Sequence, residues 1–346
     1  MNDLVFFYPQ GHENHSEAGH PERPERVEAI RSALVENGLW ERYPRIQPIK
    51  LPANVLQKIH KPDYLEALEE ICRRGMHFDA DTYTTLASWD LALKSAGGAT
   101  SVATSVWNRE AKRGFALTRP PGHHATQGRA MGFCLLNNVA LAAEYLIQVE
   151  GASRLAIIDL DLHHGNGTQD IFYSRGDVFY LSTHQYPHYP GTGWLDETGI
   201  GSGEMKTANF PLPQFSGDQE FAAILDEIIL SLLDRFQPEM ILVSYGFDPH
   251  WNDPLGNLQL TSQGYGKLIE RLVDWADQSC QGRISLFLEG GYNLEAAKAC
   301  SLAVVSALLG EKIPSSFDGG IQPTQISESS TFYSIYKQAK NLWDID

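Results

Sequence analysis

Three stretches lying far apart in the chain end in carboxylates and imidazoles at spacings suited to a divalent ion. Asp159-Leu160-Asp161-Leu162-His163-His164-Gly165-Asn166-Gly167 continues directly from the apolar run at 155–160. Alternate side chains of an extended segment share a face, so Asp159, Asp161 and His163 are expected to point the same way. Without a cation, two carboxylates and an imidazole converging at a strand end would repel and desolvate one another. A second apolar run, 240–245, leads into Gly246-Phe247-Asp248. Asp161, His163 and Asp248 supply three N/O ligands and leave a fourth position open, as catalytic zinc sites do. Such ligands favour Zn2+, with Fe2+ or Co2+ as alternatives. Aspartate and asparagine also serve as turn and capping residues around glycines. That role does not account for the whole run together with an aspartate ending another strand.

Acid–base groups come from a further strand end. The run at 115–118 opens into Arg119-Pro120-Pro121-Gly122-His123-His124. The Pro-Pro-Gly turn stiffens the loop, and two adjacent imidazoles titrating near neutrality suit proton transfer. Lone histidines are often structural; a tandem pair on a rigid loop beside a metal is better read as catalytic. A zinc ion held by two aspartates and one neutral imidazole is formally neutral, so its bound water is less acidified than in a three-histidine site, and a neighbouring base must take the proton. Asp159 can hold one of the two histidines from behind the ligands. The run at 284–288 ends in Glu289-Gly290-Gly291-Tyr292-Asn293. Its glycines allow a sharp turn that presents Tyr292, a neutral phenol with a reference pKa of about 10, to a developing oxyanion.

The elements that must position these groups alternate. Short, nearly continuous apolar runs at 4–8, 115–118, 155–160, 178–182, 240–245 and 284–288 read as strands covered on both faces. Helical patterns fall at 24–37, 63–74, 89–109, 136–149, 218–236, 262–277 and 294–309, the sixth behind a Thr261-Ser262 cap. The alternation predicts an α/β architecture, a parallel sheet with helices on both sides. Ligands of such sheets sit beyond the carboxyl ends of the strands, where the His, Asp and Gly residues cluster. No linker interrupts the pattern before about Gly310, so residues 1–310 are read as one domain. Residues 311–346 form a tail with a polar loop at 314–330 and a docked helix expected at 331–343.

Composition limits the partners. The 346 residues carry a formal net charge of -16, from 27 basic and 43 acidic side chains, with no basic block. That argues against direct nucleic-acid binding, and a negative surface favours cationic ligands. Cys72, Cys134, Cys280 and Cys300 form no C-x-x-C pair, consistent with a reduced protein lacking a thiolate zinc site. No run approaches the roughly 18 apolar residues of a membrane span, and the first residues lack a signal-peptide pattern. A cytoplasmic location and no membrane partner are the expectations; a homo-oligomer stays open.

Taken together, Pro120-Pro121-Gly122-His123-His124, the run 159–168, Gly246-Phe247-Asp248 and Glu289-Gly290-Gly291-Tyr292-Asn293 resemble the histone deacetylase family over about residues 1–310. Asn166, the His20–Arg26 stretch and Asp253-Pro254-Leu255-Gly256 are similar to its class II branch and bacterial amidohydrolase relatives. The resemblance implies a single-domain arginase–deacetylase fold, with a mainly parallel eight-stranded sheet and helices on both faces. It implies one zinc ion on Asp161, His163 and Asp248, and a structural potassium ion on the Asp159–His163 segment (Asp159, Asp161, His163) with Ser182 and Thr183. It makes His124 the general base and acid, His123 with Asp159 the electrostatic helper, and Tyr292 the oxyanion donor. Gly132, Phe133, Tyr189 and Leu255 fall at substrate-tunnel positions, and Arg26 matches a residue near the acetate-release channel. Asp81, His188, His250 and Trp251 are rim candidates. His60, His164 and His184 read as structural; His12, His15 and His77 carry no signal.

The activity implied is hydrolysis of an N-acyl amide, with an acylated lysine peptide as substrate. A small acylated amine, such as an acetylpolyamine, is the alternative; Leu255 stands where polyamine-acting relatives carry Glu. An arginase-like two-metal hydrolase would need carboxylates where Gly165 and His250 stand. A non-catalytic acyl-lysine binder would be expected to lack a ligand or the phenol, and none is missing.

Overall fold

A computed structural model describes residues 1–314, 326 and 330–345. The polar loop expected at 314–330 lies almost wholly outside the described residues. The chain order is β1 (Asn2–Phe7), α1 (Glu25–Glu36), α2 (Leu39–Arg42), α3 (Ala53–Ile59), α4 (Pro62–Arg74), α5 (Ser88–Trp107), β2 (Ala111–Ala116), α6 (Asn138–Gln148), β3 (Leu155–Asp159), α7 (Asn166–Phe172), β4 (Val178–Gln185) and β5 (Thr207–Leu212). It continues with α8 (Asp218–Ala223), a π-helical turn at Ile224–Ile229, α9 (Leu230–Phe236), β6 (Met240–Tyr245), α10 (Ser262–Ser279), β7 (Ile284–Leu288), α11 (Leu294–Leu309) and α12 (Thr331–Leu342). Thr261 caps α10, its hydroxyl accepting from Gly264 N.

Seven strands pair in the order β1-β2-β7-β6-β3-β4-β5, all parallel. The chain leaves β3 toward β4 and β5, then returns to insert β6 and β7 between β3 and β2. The strand order therefore reverses at the β3–β6 boundary, the place where such sheets open a crevice at their carboxyl ends.

One expectation about strands is corrected, and one strand was not anticipated. An eighth strand is absent among the described residues. The segment beside β1 makes one parallel bridge, Phe6 with Arg45, through Phe6 N to Pro44 O at 2.9 Å and Ile46 N to Phe6 O at 2.8 Å. Pro44 and Pro48 flank it, and proline lacks the N–H that would extend the ladder. Conversely, β5 has no clear sequence signal, because Asn209 and Pro211 interrupt it; as an edge strand it tolerates both.

Strand alternation divides the core. Leu4, Phe6, Ala156, Ile158, Ile241 and Val243 face one apolar layer with residues of α1, α10, α11 and α12. Val5, Phe7, Leu155, Ile157, Met240 and Leu242 face the other, with α3, α4, α5 and α6. The α5 helix lies close to the sheet because its contact face is Gly, Ala and Ser: a Cβ on Gly98 would sit 2.3 Å from the Phe7 ring.

A buried ion triad pins the amino-terminal segment beneath the carboxyl end of the sheet. Glu22 Oε1 accepts from Arg26 Nη1 at 3.0 Å and from Arg119 Nε at 2.8 Å, and all three side chains are buried. Arg119 also donates to the carbonyls of His12 and His15, and Arg26 to those of Glu289 and Gly291, both at 2.6 Å. Burial alone would raise the Glu22 pKa, but the guanidinium groups of Arg119 and Arg26 overcome it and hold the carboxyl at about 2.

Two outcomes follow. Gly98→Ala improves helix propensity by about 1 kcal/mol, yet should destabilise the protein by about 1–3 kcal/mol through overpacking against Phe7, read by chemical denaturation. Glu22→Gln leaves two buried cations without their shared anion and should cost about 3–5 kcal/mol. Because the folded pKa of Glu22 lies below its unfolded value of 4.5, its contribution is complete above about pH 4.5 and fades as pH falls toward 2. Denaturation profiles should show this acid-dependent loss in the parent protein, and E22Q should lack that component.

Candidate functional site

The predicted ligands meet at the strand-order reversal. Asp161 and His163 follow β3, and Asp248 follows β6. β3 ends at Asp159, so the convergence of Asp161 and His163 comes from a bend beyond the strand and not, as the pattern suggested, from strand alternation. Asp161 Oδ1 lies 3.1 Å and Asp248 Oδ2 3.2 Å from His163 Nδ1. Ligands about 2.0–2.2 Å from a tetrahedral zinc ion stand roughly 3.4 Å apart, so this spacing fits. All three groups are buried, and apart from the His163 ring Asp248 Oδ2 has no hydrogen-bond partner. Burial and the nearby Asp161 charge push the Asp248 carboxyl up to about 7. Burial alone would lower His163, but the Asp161 and Asp248 carboxylates carry it up to about 9. The set is thus short of positive charge, which a divalent cation would supply. It is the group of this kind found among the described residues, and Gly165 and His250 add no further carboxylate.

Backbone closes around the carboxylates. Gly290 N donates to Asp161 Oδ2 at 2.8 Å, and Leu162 N to Asp248 Oδ1 at 3.2 Å. A Cβ on Gly246 would fall 1.9 Å from Asp161 Oδ2, and one on Gly290 2.0 Å from Asp248 Oδ2. Only glycine allows the loops after β6 and β7 to approach so closely.

The tandem histidines leave β2 on the loop that Glu289 staples to β7, its Oε2 accepting from Gly122 N at 2.6 Å and His123 N at 3.1 Å. Their partners differ. His123 Nδ1 faces Asp159 Oδ2 at 3.0 Å, and Tyr180 donates to the same oxygen at 3.1 Å. Burial would lower His123, but the charges of Asp159, Asp161 and Glu289 carry it up to about 10, which favours an imidazolium donating to Asp159. His124 Nδ1 donates to Asn166 Oδ1 at 2.8 Å. Burial, then the charges of His123 and His163, hold His124 well below the usual range, so it is neutral with a free lone pair on Nε2.

These groups line a cavity of about 240 Å³ with Asp81, Pro121, Gly132, Phe133, Cys134, His163, His188, Tyr189, Leu255, Gly290 and Tyr292. A larger cavity of about 640 Å³ opens at the opposite, amino end of the sheet, where the pairs Lys112–Asp3 and Arg113–Asp277 form, and it contains none of the predicted residues. In the smaller cavity, Phe133 packs edge-on against Tyr292 (5.8 Å) and His20 (4.7 Å), and Tyr189 against His124 (5.1 Å). Burial raises the Tyr292 phenol well above 10, keeping it a donor. Its backbone N donates to Asp253 Oδ2 at 2.7 Å, and the Arg26 guanidinium lies 4.7 Å over its ring. Arg26 is buried beside this cavity-lining ring.

Other assigned residues fall elsewhere. Ser182 and Thr183 lie on β4, Ser182 in register with Asp159. His184 Nε2 donates to Gly193 O, so its Nδ1 accepts from the Ser182 hydroxyl at 2.9 Å; Thr183 Oγ1 has no hydrogen-bond partner. His60 and His164 are buried in hydrogen bonds away from the metal group, to Thr126 O and to Thr192 and Gln169. His250 and Trp251 do not line the cavity. His12 and His15, read as uninformative, pack around the buried ion triad. Roles missed in the sequence are those of Asn166, Tyr180, Glu289 and Asp253. All but Tyr180 stood inside recognised motifs without a stated function; Tyr180 reads as an ordinary core aromatic.

The sequence model of the histone deacetylase domain matches residues 20–308. The chain is 40% identical over 309 residues to a probable deacetylase of Archaeoglobus fulgidus, covering 88% of this chain and 86% of that one. It is 41% identical over 323 residues to histone deacetylase 14, chloroplastic, of Arabidopsis thaliana, covering 88% and 76%. The crystal structure of the HDA15 HD domain superposes with a TM-score of 0.88 at 34% identity, covering 99% and 95%. On its fold, its site and these likenesses, the chain belongs to the histone deacetylase family.

Proposed function

We propose that the protein is a zinc-dependent deacylase that hydrolyses the amide of N-acetyl-lysine, or of a lysine carrying another short acyl group. The observation that carries this reading is the cluster of Asp161 Oδ1, His163 Nδ1 and Asp248 Oδ2, whose His163 lines one cavity together with neutral His124 and the Tyr292 phenol. Bound by those three residues, zinc would polarise the acyl carbonyl and lower the pKa of water.

The chain's own groups do the remaining work. Phe133, Tyr189, Leu255 and Gly132 form apolar walls that admit an alkyl chain and exclude solvent from its length. His124 takes the proton of the attacking water on Nε2, which the Asn166 contact to Nδ1 leaves available, and then returns it to the departing amine. His123, kept cationic by Asp159, places positive charge beside the developing oxyanion. Tyr292 donates its O–H to that oxygen. Potassium on the Asp159–His163 segment with Ser182 and Thr183 fits the hydroxyl of Ser182, whose proton is directed to His184, and the unpartnered Thr183 Oγ1.

Zinc-loaded protein should release acetate from acetyl-lysine peptides, and a parallel assay with acetylpolyamines tests the small-amine alternative. Tyr292→Phe should lower kcat by about 10²–10³ with zinc content unchanged; near-full activity would remove its role. Asp161→Ala should abolish tight metal binding in elemental analysis.

A further inference from the structure

The turn that follows β5 carries a residue its own backbone disfavours. Ser216 N and Ser216 Oγ both donate to Pro213 O, at 3.3 and 2.8 Å, closing a four-residue turn. Its third position is Phe215, with φ +70°. That position is normally glycine or asparagine, because a bulky side chain is strained in the left-handed region. Burial does not offset the strain, since Phe215 is 67% exposed. Strained residues of this kind cluster where ligands are gripped.

The turn stands at the carboxyl end of the sheet, beside the catalytic cavity. Phe215 N donates to Asn257 O at 2.8 Å, and Gln259 N to Ser216 O at 2.8 Å. The same loop carries Leu255, a wall of the cavity. Asn257 N donates to Gln185 Oε1, and Tyr186 N to Leu212 O, each at 2.8 Å, which ties this corner to the loop bearing His188 and Tyr189. Two residues of chain span at most about 7 Å and one backbone pairing adds about 5 Å. Phe215 is therefore within roughly 12 Å of Leu255 by these two lengths. An extended peptide advances about 3.3 Å per residue, so residues roughly two to four places from the lysine in the cavity come within reach of the ring.

We propose that Phe215 is a specificity-determining residue whose ring receives an apolar or aromatic side chain flanking the acylated lysine of a polypeptide substrate. This rests on the deacylase reading above.

The test compares zinc-loaded parent protein, Phe215→Gly and Phe215→Trp on three substrates: acetyl-lysine peptides with Leu or Phe at the flanking positions, the same peptides with Ser there, and an acetyl-lysine amide without flanks. F215G should raise KM for apolar-flanked peptides about two- to tenfold, the range of one aromatic contact, with kcat unchanged. The Ser-flanked and flank-free substrates should be unaffected, F215W should retain the preference, and the melting temperature of F215G should equal or exceed the parent's. Equal KM values for parent and F215G on every peptide overturn the proposal. So does an equal loss on the flank-free substrate, or a change in oligomeric state by sedimentation with unaltered kinetics. Absence of any turnover by the parent protein would instead bring down the deacylase reading, and this proposal with it.

Discussion

Two buried carboxylates and an imidazole are forced together where the order of the parallel sheet reverses, and the rest of the site is arranged around that crowding. Among the described residues neither Asp161 nor Asp248 forms an ion pair with a lysine or arginine; backbone N–H groups and His163 hold them, and Asp248 Oδ2 has only the His163 ring beside it. Such an arrangement is costly without a cation and well suited to one. The glycines after β6 and β7 follow from it, since any side chain there would occupy the space of the carboxylates. Placing one carboxylate after β3 and the other after β6 is what an inserted β6–β7 pair achieves.

The same constraint separates two chemically identical neighbours. His123 and His124 are adjacent in sequence and their rings are 4.1 Å apart. A carboxylate behind His123 favours its cationic form; burial, then the charge of His123, keeps His124 neutral, while the Asn166 amide fixes which ring nitrogen carries the proton. One imidazole thus supplies charge and the other a lone pair, a division set by Asp159 behind one ring and by burial beside that charge for the other. Tyr292 is placed through its backbone, by Asp253, and through its ring, by Phe133 and Arg26.

Much of this was legible in the sequence, for identifiable reasons. Buried parallel strands read as continuous apolar runs, so β3, β6 and β7 stood out, and functional residues at their carboxyl ends are contiguous with them. What escaped depends on contacts between distant segments. Tyr180 reaches Asp159 from the neighbouring strand, and Glu22 meets Arg119 across 97 residues; a single sequence records neither contact. The bend that turns Asp161 and His163 together lies beyond the end of β3, where the period-two rule no longer holds. The resemblance implied eight strands where the described residues form seven, and β5 escaped because an edge strand needs so little pattern.

The central claim is tested most directly by X-ray absorption at the zinc edge, with elemental analysis, on protein loaded with zinc and desalted. The account predicts one tightly held zinc per chain, in a shell of oxygen and nitrogen scatterers with a single imidazole and no sulfur. Two tightly bound zinc ions per chain, a sulfur shell, or no retained zinc would contradict it.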